Sequence, residues 1–415
     1  MIPRLAEILG DLHPFHSVAR AEIADLVASR ATLRDSKPRS SEPAPSAGPF
    51  LSAASSPAEE SDKGPVLHLL LQGPAGSGKR NLAEALRHAM KGRLEVHIAE
   101  GEETTRADTG IVVWISRDGK LPRAMPSRTP RVRVRSLSSS EKTRLLRQET
   151  ERIGRSYGLD PTEFADPEIQ RALLRGGVSE AGVLGAVRRL QRLCRRHSRE
   201  LAEGLSVPID LAWVASVLGP ESRPQDPLPP RLPAGCVHAP VVSPMGGAIA
   251  QIEAFASTGK GRLTLTGAGP QAEIAAQVAR SRCLALAQQL RFQVDVLRDM
   301  DWHIHVSGPD GPKDGVSIGW PALVAMASHL SGVAVDAKFA FTGELGLSGE
   351  LRSVGLIEEK FLACERESLQ RLWMPAGNLN DLSLLDPESM GSCEPTSVTQ
   401  DLQALRTLGL VSARA

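Results

Sequence analysis

DGPKDGVSIGWPALVAMASHLSG, residues 310–332, is the stretch whose reading decides the fold. Its first half is a loop punctuated by Gly311, Pro312 and Gly315. Its second half, from Gly319 to Leu330, is almost wholly apolar and long enough for a buried helix. Pro321 falls where the first helical turn tolerates it, because the amides there have no intrahelical acceptor. The loop therefore delivers Ser317 to a helix start, where free N–H groups and the positive helix end favour a developing oxyanion. A serine so placed is a candidate nucleophile once a base removes its proton.

Working outward, a candidate base is Lys360, set among Leu356, Ile357 and Phe361 in FTGELGLSGELRSVGLIEEKFLACERESLQRLWMPAGNLNDL (341–382). A lysine acts as a base only when burial lowers its pKa enough to leave the amine neutral. Spacing alone does not join Ser317 to Lys360: helix cap and surface charge are the plainer readings of the two residues taken singly.

The pattern around them resembles the proteolytic domain of Lon proteases, the A-type branch in particular. P-K-D-G-x-S-x-G runs from Pro312 to Gly319, T-G-E is Thr342, Gly343 and Glu344, and the lysine-bearing helix runs from Gly355 to Lys360. DWHIHV (301–306), GGAIAQIEAFASTGKGRLTLTG (246–267) and MPAGNLNDL (374–382) resemble the family's histidine-bearing strand, opening hairpin and closing strand. The resemblance covers roughly 235–410. It implies that Ser317 is the nucleophile and Lys360 the general base. Thr342 is implied to bond the amine, with Asp314 and Glu253 as supporting residues and no metal. His303 and His305 read as structural rather than catalytic. Val316 and Ile318 depart from the family's usual Pro and Ala, and the glycine pair before the lysine helix is reduced to Gly355.

The first half has a different character. VLHLLLQG (66–73) reads as a strand, GPAGSGKR (73–80) as a glycine-rich loop, and NLAEALRHAM as a helix. Backbone amides in such a loop cradle phosphates, and Lys79 reaches them. Arg80, however, replaces the Ser or Thr whose hydroxyl holds Mg²⁺. GIVVWIS (110–116) and RVRVR (131–135) read as further strands. Residues 4–31 read as helical, and 35–64, dense in Ser, Pro and Ala, as a flexible insertion. SSSEKTRLLRQETERIG begins with the Ser138/Glu141 N-cap signature, and helical pattern continues to about Leu218.

Residues 1–220 thus resemble a reduced AAA+ module of Lon. Residues 8–31 resemble the helix before the P-loop, 110–128 the strand and loop ending in an arginine finger at Arg128, and 137–202 the helical lid. Ser116 replaces the sensor-1 asparagine and Leu184 the sensor-2 arginine. Between Ala85 and Thr109 no strand is expected ahead of Glu102 and Glu103, which read as a solvated turn. ATP hydrolysis is therefore not expected. Residual ATP or ADP binding at Gly73, Gly76, Gly78, Lys79 and Arg128 is the role left to the loop, and no cofactor is required.

Composition agrees with this. The 415 residues are 41% apolar, and 49 basic residues against 48 acidic ones exert no general pull on nucleic acid or membrane. The arginine stripe Arg188, Arg192, Arg195, Arg196, Arg199 lacks interleaved aromatics and reads as a solvated helix face. Five scattered cysteines form no C-x-x-C pair. No signal peptide or membrane span is expected, so the protein reads as cytoplasmic.

The expected fold is α/β and α+β multidomain. A reduced AAA+ α/β subdomain (1–136) is followed by a helical lid (137–218), a Pro-rich linker (219–233) and a Lon-type α+β proteolytic domain (234–415). The expected activity is ATP-independent serine endopeptidase, acting on unfolded proteins or peptides and assembled as a homohexameric ring. The alternatives are an ATP-dependent Lon protease with a divergent motor and a catalytically silent Lon-fold scaffold.

Overall fold

The structure is a computed structural model. It describes residues 5–35, 66–100, 109–116, 121–175, 180–219, 228–243, 246–308, 313–383, 385 and 389–411. Most of the 35–64 insertion, with Glu102, Glu103 and Pro312, lies outside the described residues. The chain divides into two compact units, residues 1–73 with 78–134 and residues 74–77 with 135–415.

The first unit opens with helices α1 (Leu5–Leu12) and α2 (Ser17–Asp35), followed by β1 (Leu67–Gln72) and α3 (Lys79–Ala89). β2 (Val96–Glu100), β3 (Ile111–Ile115) and β4 (Arg131–Arg133) complete a parallel sheet of order β2-β3-β1-β4. The single helix expected over 4–31 is broken at His13–His16, where Pro14 brings no amide to continue it. Leu5, Leu9, Ile23 and Val27 of the two pieces pack with Leu69, Leu71, Ile111 and Val113.

β2 corrects the sequence reading, which left no strand between Ala85 and Thr109. It pairs with β3 alone, so as an edge strand it buries only Val96 and Ala99. The mixed pattern Val-His-Ile-Ala-Glu therefore shows no apolar run of the kind that marks β3, which is buried at every position.

In the second unit, α4 (Ser139–Ser156) starts on a complete Ser138/Glu141 capping box, as its sequence predicts. With α5 (Pro167–Arg175), α6 (Leu184–Ala202) and α7 (Leu211–Leu218) it encloses Leu146, Ile153, Phe164, Leu190 and Trp213. Arg196 and Arg199 pair with Glu200 and Glu203 one turn on, which fits the solvated reading of that stripe.

The rest is a seven-stranded sheet with helices on both faces. In chain order come β5 (Cys236–Ser243), β6 (Gly246–Thr258), β7 (Leu263–Thr266), α8 (Pro270–Ala285), α9 (Val294–Asp299) and β8 (Met300–Ser307). There follow α10 (Gly319–Ser331), β9 (Phe339–Phe341), the small ribbon β10 (Glu344–Leu345) and β11 (Leu351–Arg352), and α11 (Ile357–Arg366). β12 (Arg371–Pro375), α12 (Leu379–Leu382), β13 (Glu394–Val398) and α13 (Asp401–Thr407) finish the unit.

The large sheet has the order β13-β12-β9-β5-β6-β8-β7. This corrects the hairpin expected over 246–267. β6 pairs antiparallel with β5 and β8, whereas β7 lies beyond β8 and parallel to it. Asp301 holds that crossover, accepting from the amides of Lys260 and Arg262 at 2.8 Å each.

Strand alternation gives the sheet two different cores. Ala250, Ile252 and Phe341 point to the face covered by α8 and α10. Ile249, Ala340, Leu372 and Met374 point to the face covered by α11. The serine-bearing and lysine-bearing helices therefore lie on opposite sides of one sheet.

Candidate active site

Ser317 sits in a single 3-10 turn, Val316–Ile318, that runs directly into α10. Gly315 precedes it at φ 131°, a conformation that side chains disfavour. The loop is anchored from both ends. Asp314 Oδ1 accepts from the amides of Ala272 and Gly315 at 2.9 Å each, tying the loop to the first turn of α8. Beyond it, Gly343 N donates to Ser317 O and Trp320 N donates to Gly343 O, both at 3.1 Å. Residues 318–328 are buried throughout, so α10 is a rigid base under a half-buried serine.

Lys360 lies in the first turn of α11 and is 5% exposed. Its amine donates to Thr342 Oγ1 at 3.0 Å. Burial pushes its pKa from 10.5 down to about 8, opposed slightly by the Cys364 thiol one turn on. At pH near 8 a large share of the amine is therefore neutral and able to take a proton. Thr342 is itself held by its amide, which donates to Trp373 O at 3.0 Å on β12.

The two candidates are thus each bonded to one of two adjacent residues past the end of β9. Thr342 receives the lysine from one face of the sheet, and the next residue, Gly343, receives the serine backbone from the other. Among the described residues no hydrogen bond joins the Ser317 hydroxyl to the Lys360 amine.

Residues 209–404 match the C-terminal proteolytic domain of Lon protease (S16). The chain carries a Lon-type proteolytic domain. It is 31% identical over 285 residues to Lon protease 2 of Syntrophobacter fumaroxidans, covering 66% of this chain and 36% of that one. It is 34% identical over 224 residues to Lon protease 2 of Sorangium cellulosum (53% and 28%). It is 36% identical over 237 residues to Lon protease of Anaeromyxobacter dehalogenans (55% and 28%). The chain thus spans about a third of the length of the curated relatives it matches.

The matched Lon-type segment contains Glu253, Asp314, Ser317, Thr342 and Lys360. Beside Ser317 lies a cleft lined by Pro240, Val241, Ile252, Val306, Asp314 and Ile318, with about 30 Å³ of open space. That is roughly the volume of one water in the liquid, so the cleft is narrow. Glu253 does not line this cleft. It is next to Ile252 on β6 and so points to the other face, where it accepts from Gln251 Nε2 at 3.1 Å. His303 and His305 share a hydrogen-bond partner in the Thr266 hydroxyl, at 2.9 and 2.7 Å.

Outside the Lon-type match, Gly76 and Gly78 have positive φ, as a tight loop before α3 requires. Lys79 is buried and donates to Gly73 O at 2.7 Å. Arg80 pairs with Glu100 at 3.2 Å. Arg128 is exposed. Among the described residues no His/Cys/Asp/Glu group is arranged to hold a metal, and no helix is long and apolar enough to cross a membrane.

Sequence reading missed Gly343 as the bridge to Ser317, because a main-chain hydrogen bond leaves no residue-type signal. It also missed Leu356, which occupies the left-handed region at φ 57° just before α11. The signal was present: Leu356 follows the lone Gly355, which stands in place of the glycine pair that the resemblance implies.

Proposed function

We propose that this chain is a serine endopeptidase in which Ser317 is the nucleophile and Lys360 the general base. The observation that carries the reading is the buried Lys360 amine, its pKa lowered to about 8 and its position tied to Thr342. In the reaction the neutral amine takes the Ser317 proton as Oγ attacks the peptide carbonyl. The oxyanion of the tetrahedral intermediate is met by main-chain N–H groups of the turn that leads into α10, the Ser317 amide among them. Collapse expels the amine of the leaving peptide, which takes the proton from Lys360 and leaves an acyl-serine. Water, deprotonated by the same lysine, then releases the acid.

The substrates we propose are unfolded proteins and flexible peptides, entering a homohexameric ring as extended chains without ATP hydrolysis. Support for ATP independence is Arg80, which stands where a P-loop carries the hydroxyl that holds Mg²⁺ and pairs instead with Glu100. One observation favours a second reading, a catalytically silent Lon-fold scaffold: the narrow cleft beside Ser317.

The test is cleavage of a fluorescent unfolded protein by the purified chain, with and without Mg-ATP, alongside Ser317→Ala. Nucleotide-free cleavage lost in the variant is the expected result. Cleavage only with ATP refutes the inactive motor, and no cleavage under either condition favours the scaffold.

A further inference from the structure

The start of α11 is weakly specified by its own sequence. Leu356 at the N-cap is left-handed and makes no side-chain cap, a conformation that costs a non-glycine residue free energy. Lys360, one turn in, must therefore be placed by contacts made across the fold. Beside the apolar packing of Ile357 and Phe361, several of these are polar and are not made by Lys360 itself. Ser136 N donates to Glu359 Oε1 at 2.6 Å, and Glu359 is only 4% exposed. One face further along, Ser139 Oγ donates to Glu365 Oε2 at 2.9 Å. Arg366 Nη2 donates to Gly247 O at 2.9 Å on β6.

The fit leaves no slack. A Cβ at Gly247 would stand 2.2 Å from Glu359 O, so β6 and α11 touch at main-chain distance where Glu359 turns toward Ser136. The remaining space between Ser136, Lys142, Glu359 and Arg366 is about 10 Å³. The charged groups facing the Glu359 carboxyl are Arg135 and Lys142 from the 135–142 segment and Glu358 from its own helix. Arg135 is already committed to Glu141 through both terminal guanidinium nitrogens, at 2.7 and 2.9 Å. Burial holds the Lys142 amine down to about 8 and raises the Glu359 carboxyl.

We propose that Glu359, bonded to the Ser136 amide, is a positioning residue. It docks the first turn of α11 on residues 135–142 and thereby fixes the Lys360 amine against Thr342. The inference rests on the assignment of Lys360 as general base. It makes the segment entering the helical part of the chain a determinant of the active-site geometry, although that segment contributes no group to the chemistry. Removing an acidic side chain and releasing α11 have opposite effects on the Lys360 amine. Loss of a negative charge lowers its pKa, whereas admitting water raises it toward the ordinary lysine value. Glu359 is not among the groups whose charge acts on Lys360, so a rise reports position.

The experiment is competitive labelling of the Lys360 amine by a small acylating reagent, read by mass spectrometry from about pH 6 to about pH 11. It uses the full chain as wild type, Glu359→Gln and Glu359→Ala, with melting curves to confirm folding. Glu359→Gln keeps an acceptor for Ser136 N and should titrate with the wild type. Glu359→Ala should titrate about one pH unit higher or more, and peptide cleavage at about pH 8 should fall about ten- to a hundredfold. Ser136→Pro deletes the donor from the other side and should reproduce the shift if Glu359→Ala does not fold. A folded Glu359→Ala with an unchanged or lower titration overturns the proposal, as does Glu359→Gln behaving like Glu359→Ala. Cleavage that survives Ser317→Ala would remove the peptidase assignment, while labelling still decides whether Glu359 places the lysine.

Discussion

Lys360→Met should inactivate the enzyme and make it more stable at neutral pH. The native state holds the Lys360 amine at a pKa of about 8 against 10.5 when unfolded. Below pH 8 both states are protonated, and the fold carries the full cost of a buried ammonium, about 3 kcal/mol at 1.36 kcal/mol per pH unit. Between pH 8 and 10.5 the unfolded chain binds more protons than the native one, so this cost is relieved as pH rises. Methionine matches the shape of lysine without the charge. Its gain is offset by the lost hydrogen bond to Thr342, worth about 1 kcal/mol net. Lys360→Met should therefore be about 2 kcal/mol more stable at pH 7, a rise in Tm of roughly 4–8 °C for a unit of this size. The gain should vanish near pH 10. Urea unfolding followed by tryptophan fluorescence at both pH values measures it, with peptide cleavage assayed on the same samples. A variant no more stable than wild type at pH 7, or a gain undiminished at pH 10, would refute the argument that burial tunes this lysine.

Thr342→Val removes the acceptor of the Lys360 amine while keeping its volume. Cleavage should fall about tenfold or more, and the midpoint of the rising limb of the pH–rate profile should move down, because the ammonium loses its bonded partner. An unchanged profile would mean that Thr342 does not orient the base. Leu356→Gly relieves a left-handed leucine that is 41% exposed and has little packing to lose. It should raise stability by about 1 kcal/mol; thermal melting checks this, and a lower Tm would show that Leu356 packing outweighs the strain.

Features with local causes are legible along the chain. The Ser138/Glu141 box, the glycine-punctuated turn ahead of α3 and the apolar run of α10 each depend on residues a few positions apart. Their short-range patterns survive folding unchanged. β2 is not legible in this way, because an edge strand buries few side chains and its five residues carry no apolar run. The pairing of β7 with β8 rather than β6 is hidden for another reason: two adjacent strands read as a hairpin unless a crossover intervenes. Glu253 has the right neighbourhood in sequence, but strand alternation turns it away from Ile252 and the cleft.

The sequence by itself determined which residues could do chemistry: a serine at the start of an apolar helix and a lysine set among apolar neighbours. Only the tertiary structure decided where they stand in the fold. Ser317 and Lys360 belong to helices on opposite faces of one sheet, brought to adjacent residues, Thr342 and Gly343, where β9 ends. The lowered pKa of the lysine comes from burial, which no single segment possesses. Its placement depends on Glu359 meeting Ser136 across 223 residues of chain. Desolvation and long-range docking arise from the whole packed unit, which is why neither could be read along the chain.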